Sequence, residues 1–227
     1  MTTVVLVRHA TTAATGKRLG GWTDASLDER GVGQAEATAE RLAEAPLVAV
    51  YASPIVRTQE TARIVARPHG LKVRTRRGLG EVDYGDWTDR TLASLRKLAY
   101  WRVIQTTPSR VSFPGGGTIR GAQAAAVDTI EALAAEHPDD TIAVVSHADV
   151  LKAVVAHYLG MPLDTFQRIH IAPASVSVLH LPTDGPPMLA RLNDTGPLTW
   201  TRPGGASGTN PTGGSPDPRT PRKQRRT

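Results

Sequence analysis

The sequence predicts an α/β fold of three layers, in which helices cover both faces of a mostly parallel central sheet. Short apolar, β-branched runs alternate along the chain with segments of helical periodicity, as is typical of a wound α/β domain. Residues 4–7 and 141–145 are almost wholly apolar, which favours strands that are covered on both faces. The chain has 227 residues and 40% hydrophobic content, enough to form one substantial core.

The same pattern places the individual elements. Ser26 and Glu29 form a capping-box signature for a first helix. Ser53 and Pro54 are predicted to be the cap and first residue of a second helix, which runs to about Ala66. Strands are predicted at residues 4–7, 47–52, 72–76, 141–145, 174–181 and 188–193.

A small cap is predicted as an insertion at about residues 86–120. Leucines alternate with basic residues over residues 88–104, which indicates a cap helix, and the turn at residues 113–117 contains three glycines. A longer helix is then expected at residues 119–136, and a largely buried helix follows His147.

Arg and His directly follow the first predicted strand. Arg8 and His9 therefore lie at the edge where open α/β sheets bind ligands. A guanidinium group offers a planar fork of donors to phosphate oxygens, and an imidazole can attack phosphorus or move a proton. His147 follows another apolar run, and Arg57 lies in the first turns of a helix, whose N-terminus attracts anions. We expect these four side chains to form one phosphate-binding site.

Residues 79–87, which we call the acid loop, contain carboxylates between glycines. A leaving alkoxide is a strong base, and a general acid that protonates it contributes about 10²–10⁴ in rate. Glu81 is the candidate acid, and Asp83 is the alternative.

The chemistry of the transfer sets further expectations. An attacking imidazole needs an acceptor for its second nitrogen, for which a backbone carbonyl of the acid loop is expected. Arg8, Arg57 and a protonated His147 are expected to stabilise the charge on the transferred phosphoryl group. Because guanidinium groups replace the Lewis acid, we predict no metal and no cofactor.

Taken together, these stretches resemble the histidine phosphatase superfamily, also called phosphoglycerate-mutase-like, over about residues 4–181. The motifs are Val-Arg-His at residues 7–9, Ser-Pro-Ile-Val-Arg at 53–57, the acid loop, and Ser-His-Ala-Asp at 146–149. The resemblance is to its small phosphatase branch. It implies that His9 becomes phosphorylated, that both arginines and His147 hold the phosphoryl group, and that Glu81 protonates the leaving oxygen.

Several positions depart from that family pattern. Ala10 and Thr11 stand where Gly and often Glu are usual, and Thr15, in place of Asn, is a shorter candidate donor to phosphate. Asp149 lies where a second glycine is common, and we interpret it as a helix-start residue that the helix dipole favours. Trp22 occupies the family's loop near the pocket mouth, where it either contacts substrate or packs against apolar groups.

The resemblance leaves more than one reaction open. Cofactor-dependent phosphoglycerate mutases have Arg-His where this chain has Val82-Asp83, and the segment between Glu81 and His147 is short. Both features favour water as the acceptor, so we expect a metal-independent phosphomonoesterase that acts on a small phosphorylated metabolite. The alternatives are a mutase or other phosphotransferase, and an inactive relative that binds phosphorylated ligands.

The formal charge of +6 is concentrated in the C-terminal segment. Residues 195–227 contain six Lys and Arg but one acid, which leaves +1 for residues 1–194. We predict a catalytic domain at residues 1–194 and a disordered basic Pro/Gly-rich tail at 195–227. Nucleic-acid binding is not expected beyond weak contacts of this tail. The chain has no cysteine, and its first apolar run is too short for a signal peptide or a membrane span. We therefore expect a cytoplasmic protein, and a homodimer is left open.

Overall fold

The computed structural model describes residues 1–196, which form one six-stranded sheet with helices on both faces. Strands β1 to β4 are all parallel to one another where they pair, whereas β5 is antiparallel to both of its neighbours, β1 and β6. The strands are β1 (Thr2–Arg8), β2 (Leu47–Ala52), β3 (Val73–Thr75), β4 (Thr141–Ser146), β5 (Val176–Leu181) and β6 (Met188–Asp194), in the order β3-β2-β4-β1-β5-β6. This confirms the predicted α/β class with a mostly parallel sheet.

The helices cover the sheet as two layers. Helices α1 (Glu29–Leu42) and α2 (Val56–Ala66) pack together on one face, and α5 (Ile119–Glu136) and α6 (Ala148–Tyr158) pack together on the other. Alternate side chains of β1 enter the two cores. Leu6 packs on the side of α5 and α6, and Val7 packs on the side of α1 and α2. Complete burial of such a side chain contributes about 1.5–3 kcal/mol, so the apolar runs specify a strand between two layers.

The first two helices begin later than the sequence predicts. Helix α1 is capped by Asp28, because the Asp28 carboxylate accepts hydrogen bonds from the Gly31 N–H at 2.7 Å and the Thr11 hydroxyl at 2.8 Å. Helix α2 has Ile55 at its N-cap, without a side-chain hydrogen bond. Ser53 is buried and its Oγ contacts the ring of His147 instead, so the predicted caps Ser26 and Ser53 are wrong.

The predicted cap helix is two short helices, α3 (Leu92–Leu95) and α4 (Ala99–Thr106). Leu98 separates them because its backbone is extended, with φ −80° and ψ 136°. Leu95 and Ile104 are buried, and Trp87 packs edge-on against the ring of Tyr100, with ring centroids 5.9 Å apart. The segment lies outside the sheet, before α5, and its limits as a cap at residues 86–120 stay a prediction.

The tail that the composition predicts lies outside the described residues, apart from residues 195 and 196. Among residues 1–196, no helix has the length and apolar character needed to cross a bilayer. The division at residue 194, the cytoplasmic location and the homodimer stay predictions.

Candidate active site

The ends of β1 and β4 bring the two histidines together. These strands are parallel neighbours, with Arg8 opposite Ser146 in the register. The pairing continues past the strand, because the backbone N–H of His9 donates to the carbonyl of Ser146 at 2.9 Å. The rings of His9 and His147 consequently lie with their centroids 5.3 Å apart, at the carboxyl edge of the sheet.

The ring of His9 is held in one tautomer by the main chain. Nδ1 lies 2.7 Å from the carbonyl oxygen of Ala10, which can only accept, so Nδ1 carries the hydrogen. Nε2 is then a free base, and it accepts a hydrogen bond from Nε of Arg57 at 3.3 Å. The acceptor is the carbonyl of the next residue, so the prediction that the acid loop provides it is wrong. Burial, with Arg57 and Arg8, lowers the pKa of His9 well below its ordinary value, so the ring is neutral.

Arg57 is the central cation of the site. It lies in the first turn of α2 and is 4% exposed. Its Nη2 donates to the carbonyl of Gly21 at 2.8 Å and lies 3.1 Å from Nδ1 of His147. Burial lowers the pKa of Arg57, against the attraction of Glu81.

His147 accepts from Arg57 through Nδ1, so its Nε2 carries the hydrogen, and Nε2 lies 2.9 Å from Oγ of Ser53. Burial and the charge of Arg57 lower the pKa of His147 well below its ordinary value. The ring is therefore neutral in this structure, and a protonated His147 beside the transferred phosphoryl group stays a prediction. Sequence reasoning missed Ser53 as its partner because the contact joins residues far apart in the chain.

Arg8 contributes a second guanidinium group at the end of β1. Its Nη1 donates to the carbonyl of Ile171 at 2.7 Å, which fixes the side chain. Its buried Nε has no hydrogen-bond partner among the described residues. A buried donor without a partner is costly, and an anion in the site would satisfy it.

Glu81 places its carboxyl beside these groups. Oε2 lies 3.8 Å from Nδ1 of His147 and 3.9 Å from Nη2 of Arg57, and Oε1 accepts from the backbone N–H of Val82 at 3.0 Å. Burial and the charge of Asp149, opposed by Arg57, raise the pKa of Glu81 to about 7. This value suits a group that donates a proton near neutral pH.

Asp83, the alternative acid, is exposed and lies outside the cleft wall. Its Oδ1 accepts from the backbone N–H of Gly85 at 3.0 Å, within the turn of the acid loop. The structure thus brings Glu81 into the site, and not Asp83.

Of the two further candidate substrate contacts, Thr15 lies in the wall of the cleft and Trp22 lies outside it. Thr15 lines the cleft, and its Oγ1 accepts from the backbone N–H of Thr12 at 2.8 Å. Trp22 lies behind the acid loop and is not part of the cleft wall. Its Nε1 donates to the carbonyl of Glu81 at 2.7 Å, and the guanidinium of Arg77 lies 5.0 Å from its ring. The substrate contacts of both residues stay predictions.

The cleft over these groups has a volume of about 350 Å³. Trp101 of α4 lines it, whereas Tyr100 packs on Trp87. A larger cavity of about 640 Å³ lies beside the cleft and shares Thr12 and Thr15 with it, but His9 and Glu81 do not line it. The cleft wall includes polar residues that sequence reasoning did not assign to the site, namely Gln105, Asp149, Lys152 and Gln167.

Within residues 1–196, no three His, Asp or Glu side chains are grouped so that they could hold a metal ion.

Comparison with known proteins gives the class of this fold and site. The family model of the histidine phosphatase superfamily (branch 1) matches residues 4–195. The chain belongs to this superfamily and is a phosphatase.

Three curated relatives show the range within the family. The chain is 30% identical to phosphoserine phosphatase 1 of Hydrogenobacter thermophilus, over 80% of this chain and 87% of that protein. It is 31% identical to a metal-independent phosphoserine phosphatase of Arabidopsis thaliana, over 80% and 77% of the two chains. It is also 31% identical to a probable phosphoglycerate mutase, GpmB, of Yersinia pestis, over 78% and 84%.

Solved structures have the same fold. Bacillus stearothermophilus YhfR superposes with a TM-score of 0.81 and 27% identity, over 86% of this chain and 98% of that one. A mycobacterial glucosyl-3-phosphoglycerate phosphatase superposes with a TM-score of 0.76 and 26% identity, over 84% and 98% of the two chains.

Proposed function

We propose that the protein is a metal-independent phosphomonoesterase that hydrolyses a small phosphorylated metabolite through a phosphohistidine on His9. The observation that carries this proposal is the state of the His9 ring. Its Nδ1 hydrogen is held by the Ala10 carbonyl, and its basic Nε2 faces the guanidinium of Arg57. A neutral imidazole with a fixed tautomer beside buried cations is the arrangement that nucleophilic attack on a phosphate ester requires.

In the first step, Nε2 of His9 forms a bond to phosphorus while the ester P–O bond breaks. Glu81 gives its proton to the leaving oxygen, so the alcohol departs neutral and Glu81 becomes a carboxylate. Arg8 and Arg57 stabilise the charge on the phosphoryl oxygens. The arriving dianion also opposes the effect of the arginines on His147, whose pKa rises as the negative charge approaches.

In the second step, water attacks phosphorus and the N–P bond breaks. The Glu81 carboxylate takes a proton from this water, which restores the protonated acid and the neutral His9. The products are one alcohol and one inorganic phosphate, and no metal takes part in either step.

Hydrolysis is favoured over a mutase reaction by the acid loop. Val82 is buried and Asp83 is acidic, so neither side chain offers a positive charge to an acidic glycerate. The phosphoserine phosphatases among the relatives support hydrolysis of a small phosphate ester. One relative is named a probable phosphoglycerate mutase, so the alternative is a mutase reaction on the same phosphate-binding groups of this chain.

A phosphate-release screen with excess chelator tests the reaction class. It should include phosphoserine, sugar phosphates, glycerate phosphates, nucleotides and phosphopeptides, and we expect release from a small ester. Dependence on a phosphorylated primer, with little free phosphate, would instead indicate the mutase. Activity that the chelator abolishes would contradict the metal-independent reaction.

The covalent step is tested by rapid quenching under alkaline denaturing conditions. We expect a labelled phosphoprotein that is stable in base and labile in acid, and that His9→Ala does not form. Label on an Asp or Ser side chain would overturn the proposal. His69→Ala is the matched control, because this histidine lies outside the cleft wall.

A further inference from the structure

Asp149 lies at the junction of the acid loop and α6. It is in the first turn of α6, two residues after His147. Its Oδ2 accepts a hydrogen bond from the hydroxyl of Tyr84 at 3.1 Å, and its Oδ1 lies 3.1 Å from Nζ of Lys152. Lys152 is in turn 3.2 Å from Oε1 of Gln167. Both oxygens of the carboxylate are therefore fixed, which a helix-start role alone does not require.

Tyr84 connects this carboxylate to Glu81. It belongs to the acid loop, three residues after Glu81, and is 3% exposed. Its ring packs edge-on against Phe113, with centroids 5.0 Å apart, so its position is set on both sides. The hydrogen bond between Tyr84 and Asp149 thus ties the loop that carries Glu81 to the helix that begins after His147.

Charges from several elements act on the carboxyl of Glu81. Arg57 from α2 and Arg8 from the end of β1 favour its ionised form. Burial disfavours that form most, and the charge of Asp149 from α6 adds to it, while the neutral ring of His147 lies 3.8 Å away. The pKa of about 7 shows that burial and Asp149 outweigh the two arginines.

We propose that Asp149 is a positioning residue for the proton donor: it anchors the acid loop through Tyr84 and, by its charge, keeps the carboxyl of Glu81 protonated. This inference rests on the proposed role of Glu81. It also explains an otherwise unfavourable feature, an acidic side chain in the wall of an anion-binding cleft. The negative charge acts on the acid, and Lys152 limits its repulsion of the substrate.

Three variants separate the charge from the anchor. Asp149→Asn keeps an oxygen that accepts from Tyr84 but removes the charge. Tyr84→Phe removes the hydrogen bond but keeps the charge. Lys152→Met removes the cation that partly neutralises Asp149. The measurement is kcat/KM against pH for an alkyl phosphate, which reports the steps through phosphoryl transfer.

We expect the alkaline limb of this profile to move down by about one pH unit in Asp149→Asn, the lower end of the effect of a nearby charge. At about pH 8 this corresponds to a loss of roughly tenfold. In Lys152→Met the limb should move in the opposite direction. In Tyr84→Phe we expect a lower rate with the limb unchanged. With an activated aryl phosphate, whose phenolate leaves without a proton, the alkaline limb of kcat/KM should stay at the same pH in all three variants.

A titration that needs no substrate makes the test independent of the proposed function. Carbon NMR of carboxyl-labelled glutamate gives the pKa of Glu81, with Glu81→Gln as the assignment control. We expect a lower pKa in Asp149→Asn and a higher one in Lys152→Met.

Unchanged titration of Glu81 in both variants would overturn the proposal, even if the protein is an active phosphatase. A loss of alkyl phosphate hydrolysis at every pH in Asp149→Asn, with Glu81→Gln active, would make Asp149 the donor itself and also overturn it. If Asp149→Asn does not fold, the opposite shift in Lys152→Met still decides the matter.

Discussion

The phosphate pocket, which consists of Arg8, His9, Arg57 and His147, and the acid loop are built in different ways. His9 and His147 follow two neighbouring parallel strands, so the hydrogen-bond register of the sheet places them. The acid loop contains no strand or α-helix. Side chains from distant segments hold it, together with backbone hydrogen bonds from the Asp86 N–H to Pro114 and from the Gly117 N–H to Asp83, both at 2.8 Å. Trp22 donates to the carbonyl of Glu81 at 2.7 Å, Ser146 donates to that of Leu79 at 2.8 Å, and Tyr84 donates to Asp149 at 3.1 Å.

This difference assigns separate tasks to the two regions. In the proposed reaction, phosphoryl transfer to His9 needs the same geometry for every ester, and the ends of β1 and β4 place both histidines. How much the leaving group needs a proton depends on the ester, and Glu81 of the acid loop would supply that proton. Substitutions in the pocket should therefore affect all substrates alike, whereas substitutions around the loop should affect poor leaving groups most.

The pocket should show the largest effect. Arg57→Lys keeps the charge but loses the planar fork that contacts His9, His147 and Gly21. We expect kcat/KM to fall by about 10²–10³ for alkyl and aryl phosphates alike, the scale of one lost charge-stabilising donor group. Arg67→Lys, at the exposed end of α2, is the control and should change little. A loss confined to alkyl phosphates would remove the distinction between the two regions.

The acid loop should also leave a signature in stability. A carboxyl whose pKa is about 7 in the fold but 4.5 in the unfolded chain stabilises the fold at low pH, and the contribution is lost as pH rises through 7. Glu81→Gln removes this loss, so the stability of the variant relative to the wild type should rise by about 3 kcal/mol between about pH 4 and 8.

Thermal unfolding of both proteins over this pH range measures the difference. The histidines titrate in the same window with the opposite sign, since their lowered pKa values cost stability as pH falls. They are common to both proteins, so most of their contribution is removed by the comparison, and what is left is the coupling between Glu81 and His147, which lie 3.8 Å apart. A difference that is constant with pH would show that Glu81 is ionised throughout.

In catalysis, Glu81→Gln should separate the leaving groups. We expect formation of the phosphoenzyme to slow by about 10² for an alkyl phosphate and far less for an activated aryl phosphate. Single-turnover measurements with both substrates give the two rates, and Asp83→Asn serves as the matched control. Equal losses for the two esters, or a selective loss in Asp83→Asn only, would take the acid role from Glu81.

A smaller effect on the rate is expected for Trp22, which lies behind the acid loop. Trp22→Phe keeps an aromatic ring but loses the N–H that holds the carbonyl of Glu81, and one such hydrogen bond is worth about 1 kcal/mol. We expect alkyl phosphate hydrolysis to fall by roughly fivefold, with aryl phosphates almost unaffected. Arg77→Met removes the cation beside the indole but keeps its N–H, and it should be nearly neutral. Equal weakening of both esters would indicate direct substrate contact by Trp22.

The smallest effect should come from the C-terminal segment. Deletion of residues 197–227 removes a stretch rich in Gly, Pro, Ser and Thr, whose composition predicts little apolar burial. We expect turnover and melting temperature to stay nearly the same. A fall of several degrees would show that this segment stabilises the domain.

The sequence predicts well those parts that depend on neighbouring residues. Helix α5 begins at Ile119 and ends at Glu136, as its periodicity indicates, and His9 and His147 lie at strand ends. The parts that depend on distant side chains are predicted poorly. The partner of Ser53 is 94 positions away, and that of Tyr84 is 65 positions away. No local pattern encodes such contacts, which is why the cap of α2 and the role of Asp149 were not predicted.

The hydrogen bond between His9 and the carbonyl of Ala10 has a consequence for how the enzyme tolerates mutation. In many sites the base that orients a histidine is a carboxylate, which a single codon change can remove. Here the orienting group is a peptide bond, which every residue at position 10 supplies. A substitution of the side chain at position 10 therefore does not remove the acceptor that keeps the hydrogen on Nδ1 of His9. A substitution in the cleft removes this acceptor only if it displaces the main chain at residue 10, whose N–H donates to Oγ1 of Thr61 at 3.1 Å.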